Sequence, residues 1–134
     1  MKRIIFVILL VLSTQGYGAG YNGEECADRA GRVFIGNNGT VYCASRIAMN
    51  WWTALEWCRA IRMEAVEGHK ECKCTGDSCP VSGCPNFMMT SGDLHFWASE
   101  PWDNTNGTRI YATPSSTLNG WVKTAGNFAI CKPK

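Results

Sequence analysis

The sequence predicts a small α+β domain, and three observations carry that prediction. One stretch, Trp51 to Ile61, has its apolar residues at helical spacing. Several short runs on either side of it alternate like strands and are separated by Gly, Asn, Pro and Ser turns. Eight cysteines lie downstream of an apolar leader, as in small exported domains stapled by disulfides. One helix beside an antiparallel sheet, sharing one core, is an α+β arrangement.

The first element is the leader. Lys2 and Arg3 precede the apolar run Ile4 to Leu12, and the small, polar stretch STQGYGAG follows. These three parts read as a signal peptide over residues 1–18, with cleavage between Gly16 and Gly20. The apolar run falls short of the roughly 18–20 residues that span a bilayer, so no stable membrane insertion is expected once the leader is removed. The mature chain, 19–134, is then one domain destined for secretion, the periplasm or the cell surface. The whole chain has 13 Lys and Arg against 11 Asp and Glu; without Lys2 and Arg3 the balance is 11 to 11. No basic stripe remains to hold a phosphate backbone, which excludes nucleic acid as an expected partner.

The runs Val33 to Ile35 and Thr40 to Ala44 flank Gly36-Asn37-Asn38-Gly39, a strong local hairpin signal. Asn50 offers an N-cap to the helix. Trp51, Ala54, Leu55, Cys58 and Ile61 form its apolar stripe, and Thr53, Glu56, Arg59 and Arg62 its polar face. Residues 72–84, CKCTGDSCPVSGC, place four cysteines among turn formers and are expected to be a loop stapled to itself. Four strand-like runs follow: LHFWAS, TRIYAT, GWVKT and NFAICK. In the last, alternation puts Phe128 and Ile130 on one face and Ala129 and Cys131 on the other.

Three of these pieces together resemble a known family. Trp51, Ala54 and Cys58 match a W-x-x-A-x-x-x-C helix, FWAS at 96–99 takes the place of a W-I-G-like core strand, and FAIC at 128–131 resembles a closing F-I-C strand. In this order they resemble the C-type lectin-like domain, in the form of its small exported bacterial members, over roughly Cys26 to Lys132. The resemblance implies a C-type lectin-like fold of short antiparallel strands with one main helix. It implies a Cys58–Cys131 disulfide tying the helix to the last strand, and a Cys26–Cys43 disulfide across the first hairpin. Closing the 73-residue loop between Cys58 and Cys131 contributes about 4 kcal/mol on chain-entropy grounds. Cys72, Cys74, Cys79 and Cys84 must then pair among themselves, either nested (72 with 84, 74 with 79) or crossed (72 with 79, 74 with 84). The resemblance also implies that Trp51 and Trp97 are buried.

The candidate chemistry is sparse. Four thiols at C-x-C-x4-C-x4-C lack the paired knuckles of a zinc site, and exported thiols oxidise, so no metal is expected there. Sugar-binding members of the resembled family hold calcium through an acidic Pro-containing motif and a later Asn-Asp pair. Here SEPWDNTNG has Glu100 and Pro101 but Trp102 at the amide position, and no W-N-D follows. Glu100, Asp103, Asn104 and Asn106 supply only part of the 6–8 oxygens calcium takes, so calcium is possible with an incomplete motif and no cofactor is expected. His69 and His95 have no nucleophile motif beside them, and no enzyme is expected. The expected function is reversible, calcium-independent binding of a carbohydrate or protein ligand by the stretch between residues 100 and 119, held rigid by the disulfide-bound core. Its contact residues are Trp102, Asp103, Asn104, Tyr111 and Trp121, with the aromatics for stacking and the acid and amide for orienting polar groups. The alternative is a structural or assembly subunit of a cell envelope or surface structure.

Overall fold

The computed structural model describes residues 24–74 and 79–134. The leader, residues 19–23 and the middle of the cysteine-rich loop lie outside the described residues. Elements follow in the order α1 (Glu24–Asp28), β1 (Gly31–Ile35), β2 (Val41–Ser45), α2 (Trp51–Ala60), β3 (Glu64–Ala65), α3 (Gly68–Cys72), a 3-10 turn (Pro85–Phe87), β4 (Leu94–Pro101), β5 (Asn106–Ala112), β6 (Thr117–Val122) and β7 (Phe128–Lys132). The seven strands form one sheet in the order β1-β2-β7-β4-β5-β6, with β3 also paired to β7. The protein is α+β, as expected.

The last strand is the hinge of this topology. β7 pairs antiparallel with β2 and β3 and parallel with β4, so it joins the first hairpin to the β4–β5–β6 ribbon. Its alternation divides the interior in two. Phe128 and Ile130 belong to a cluster with Tyr42, Phe87, Phe96, Ile110 and Leu118, whereas Ala129 and Cys131 pack with Cys58, Ala54, Ile61 and Trp97 under α2.

Local chemistry explains why these elements form where they do. Gly39 takes a φ of +88° in the first hairpin turn, a conformation that favours glycine. At the start of α2, Asn50 Oδ1 accepts from the Thr53 N–H at 2.9 Å. Ala54, Cys58 and Ile61 are buried and Thr53, Glu56, Arg59 and Arg62 exposed, as the stripe requires. Two indoles stitch the helix entrance to β4: Trp51 Nε1 donates to the Ala98 carbonyl and Trp97 Nε1 to the Met49 carbonyl, each at 2.9 Å. Trp97 is fully buried. Trp51 is only half-buried, a departure from the expectation, because its ring lies over Gly107 near the end of β5 with Lys123 above it.

All eight cysteines are paired. The bonds are Cys26–Cys43, Cys58–Cys131, Cys72–Cys84 and Cys74–Cys79, the nested arrangement for the last four. The stretch read as a loop from residue 72 begins inside a helix, since Cys72 ends α3. A distant residue makes that helix possible: the Glu100 carboxylate accepts from the Gly68 and His69 N–H groups, both at 2.9 Å, and so caps the helix from 31 to 32 residues away. At its other end Glu71 accepts from Tyr42 Oη at 2.9 Å and Lys132 Nζ at 2.8 Å, and Asn86 Nδ2 donates to Tyr42 Oη at 2.5 Å. Burial first, then the Glu71 carboxylate, pushes the Tyr42 phenol far above its ordinary value. The same carboxylate raises the Lys132 ammonium.

Candidate functional site

Residues 100–119, expected to act as a recognition loop, are mostly strand. β4, β5 and β6 are consecutive antiparallel neighbours in register, with Trp97 opposite Arg109 and Arg109 opposite Asn119, His95 opposite Tyr111 and Tyr111 opposite Thr117, and Gly107 opposite Trp121. Strand alternation then assigns the faces. Leu94, Phe96, Ala98, Ile110, Ala112 and Leu118 point into the core. His95, Trp97, Arg109, Tyr111, Asn119 and Trp121 share the other face, where α2 covers the Trp97 end and leaves the rest uncovered.

Arg109 organises that uncovered part. Its side chain is 4 % exposed although it carries a cation, and its guanidinium sits 4.4 Å from the Tyr111 ring centroid and 3.9 Å from that of Trp121. Nε donates to Asn119 Oδ1 at 3.2 Å and Nη2 donates to Tyr111 Oη. Burial pushes the guanidinium below its ordinary value, opposed by Tyr111 and the Asp93 charge, and an arginine stays protonated under such a shift. No carboxylate pairs with Arg109 among the described residues.

The polar groups around it are spoken for in a particular way. Tyr111 Oη accepts both from Arg109 and from Asn119 Nδ2, the latter at 3.1 Å, which uses its lone pairs and leaves its proton to be donated outward. His95 meets the Tyr111 ring edge to face at 4.4 Å and pairs with Asp93 at 2.5 Å. Trp121 is 44 % exposed and Trp52, on the second position of α2, 51 % exposed. Lys123 Nζ lies 4.7 Å from the Trp51 ring centroid and 5.9 Å from that of Trp52, and donates to the Asn104 carbonyl at 3.3 Å. The result is a strip in which rings and cations alternate, from Trp52 and Lys123 through Trp121 and Arg109 to Tyr111 and His95. Between Gly107 and Tyr111 alone it runs about 13 Å, at roughly 3.3 Å per strand residue.

The five sequence-chosen contact residues are divided by this arrangement. Tyr111 and Trp121 share the uncovered face. Trp102 lies on the other face, half-buried over Gly120 and stacked on His69 at 5.8 Å. Asp103 turns back on its own loop: it accepts from the N–H groups of Thr105 and Asn106 and from the Asn106 side chain, whose hydrogen bond is the main reason its carboxyl lies below the usual range. Asn104 is exposed at the tip. Arg109, Asn119 and Lys123 were not picked out from sequence, and His95 only as a discounted catalytic residue, although Arg109 and Tyr111 already stand two apart in TRIYAT.

Two further groupings need a reading. His69 Nδ1 lies 3.0 Å from Glu100 Oε2, a histidine–carboxylate contact besides that of His95 with Asp93. Both Glu100 oxygens are taken by backbone N–H groups of α3, so the pair holds a helix end. With Glu100 and Asp103 so engaged, no three His, Cys, Asp or Glu side chains among the described residues converge in a metal-binding group. A shallow hollow of about 410 Å³ between α2, β3 and Ser99 is lined by Leu55, Met63 and Ala65 with Arg59 and Glu64 at its margin. Arg59 pairs with Glu56 there. No protein-family model matches the chain, and no curated protein matches it in sequence.

Proposed function

We propose that the protein is an exported, non-catalytic recognition module of C-type lectin-like fold, which binds a carbohydrate without calcium on the uncovered face of the β4–β5–β6 ribbon. Support for the fold comes from the covalent tie between α2 and β7 through Cys58 and Cys131, the Cys26–Cys43 bond at the first hairpin, and the buried Trp97. Four disulfides accord with an oxidising compartment, and no helix among the described residues is long and apolar enough to cross a membrane.

One observation carries the ligand reading: Trp121, 44 % exposed, and Tyr111 both pack on a buried arginine, beside a phenol proton that has no acceptor among the described residues. Rings supply flat apolar area to the C–H face of a sugar, and the Tyr111 hydroxyl with the Asn119 amide orient its hydroxyls. The rings are locked before binding, so little side-chain entropy is lost on contact. The test is a glycan array probed with the full chain in chelator. Binding that survives chelation and disappears with Trp121→Ala supports the reading; an array that stays blank overturns it.

The assembly-subunit reading draws on a different surface. β1 is an edge strand, and its Val33 and Ile35 side chains are exposed, with Ile47 close by in sequence. A stable oligomer at nanomolar concentration, dissociated by Ile35→Lys, would favour that reading.

A further inference from the structure

Two cations lie along the ring strip, and neither has an acidic partner among the described residues. Arg109 is enclosed by Tyr111 and Trp121, and Lys123 rests over Trp51 with only a backbone carbonyl as acceptor. Asp93, whose charge reaches Arg109, is paired with His95 at the far end of the strip. Two other cations stand beside acids: Lys132 between Glu64 and Glu71, and Arg59 against Glu56. The strip is therefore locally positive on a chain that carries equal numbers of acidic and basic residues downstream of Arg3.

Its length adds a second constraint. Trp52 and Tyr111 stand at opposite ends of the strip, so a single sugar would cover only one of its platforms. A linear chain of several rings would lie across Trp52, Trp121 and Tyr111 in turn.

We infer that the ligand is an acidic oligosaccharide chain, with carboxylate-bearing rings laid lengthwise along this strip and its charges drawn to Lys123 and Arg109. This rests on the carbohydrate reading and narrows it. Lys123, half-exposed, makes the direct charge contact; Arg109, nearly enclosed, acts through the field and through the rings it orients.

The experiment is calorimetric titration of the full chain with galacturonate oligomers of one to six rings, set against cellohexaose as the neutral chain of equal length. Affinity is expected to rise with length until the strip is covered and to fall as salt is raised. Lys123→Gln, which keeps most of the stem, should weaken the acidic hexamer by roughly two- to fivefold, more than it weakens any neutral chain. Trp121→Ala should remove binding while the melting temperature stays near the parent's. Equal affinity for cellohexaose, or no effect of Lys123→Gln and salt, overturns the charge assignment while the carbohydrate reading stands. A monomer binding as tightly as the hexamer overturns the lengthwise placement. Failure of both oligomers, together with a blank array, removes the carbohydrate reading itself.

Discussion

Replacing both ends of the helix-to-β7 bond, Cys58→Ala with Cys131→Ala, is the most informative stability measurement on this protein. The bond spans 73 residues of sequence, whereas Cys74–Cys79 spans 5. In the chain-entropy model the long closure removes about 4 kcal/mol of unfolded-state entropy and the short one about 2 kcal/mol. The Cys72–Cys84 staple lies inside the long loop and takes 12 residues out of the 73, but the dependence is logarithmic and the difference survives. Cys58 and Cys131 are also buried at 1 % and 0 % exposure, so truncating them adds a packing loss of about 1 kcal/mol that the half-exposed Cys74–Cys79 pair lacks. At about 4 °C per kcal/mol for a domain this size, thermal melts should fall by roughly 15–20 °C for the first double variant and about 8 °C for Cys74→Ala with Cys79→Ala. Circular dichroism and calorimetry on the oxidised proteins measure both. If the two variants melt together, or the short-loop variant melts lower, the assignment of stability to the long clasp is wrong.

Gly107→Ala would put a methyl 2.5 Å from Trp51 Cδ1, so it should cost about 2–3 kcal/mol in urea titrations and shift the tryptophan emission; a neutral result would mean that Trp51 does not rest on β5. Trp102→Ala should cost about 2–3 kcal/mol because its ring covers Gly120 and His69, while Trp121→Ala, losing mainly its contact with Arg109, should cost about 1 kcal/mol or less; equal losses would place Trp121 in the core rather than at a binding face. The Asp103 carboxyl, depressed by the Asn106 side chain and then by backbone N–H groups, stabilises the tip above the unfolded-chain value near pH ~3.9, and this contribution is lost as pH falls through the lower folded value. Carbon-detected NMR titration should therefore find Asp103 titrating below the ordinary aspartate value, and Asn106→Ala should move it back up; a midpoint at the ordinary value contradicts the hydrogen-bonded tip.

What could be read in advance was whatever neighbouring residues decide among themselves. The Gly36–Gly39 turn, the Asn50 cap and the α2 stripe follow from spacings of a few positions, and the sequence carries them openly. The alternation of FAIC was legible for the same reason. What was hidden depends on partners far along the chain. α3 exists because Glu100 caps it, and nothing in GHKEC announces a carboxylate 32 residues downstream. Asp103 and Trp102 were attractive as contact residues because polar and aromatic groups in a Gly- and Asn-rich stretch suggest exposure. A two- to three-residue Asx turn and a glycine on the neighbouring strand put them to structural use instead. Arg109 was passed over because a lone arginine in a strand reads as a solvated charge; only the register with Asn119 and Trp121 reveals that it is enclosed.

The same register explains how a flat ribbon can present rigid rings without a long loop to shape them. β5 and β6 each carry one glycine on opposite faces, Gly107 on the α2 side and Gly120 on the core side. Each glycine admits an indole where a side chain would stand: Trp51 closes over Gly107, and Trp102 over Gly120. The ribbon is thus gripped from both sides, by an indole from α2 and by one from the end of β4. Trp51 is in turn fixed by its hydrogen bond to Ala98 and by the helix that Cys58 ties to β7, and Trp102 by its stack on His69, which Glu100 holds. Thermal motion that would let Trp121 and Tyr111 drift must therefore disturb one of these two seats first. Substituting either glycine should loosen the rings before it unfolds the domain, and the order of those two events can be followed by side-chain NMR of Trp121 during a urea titration.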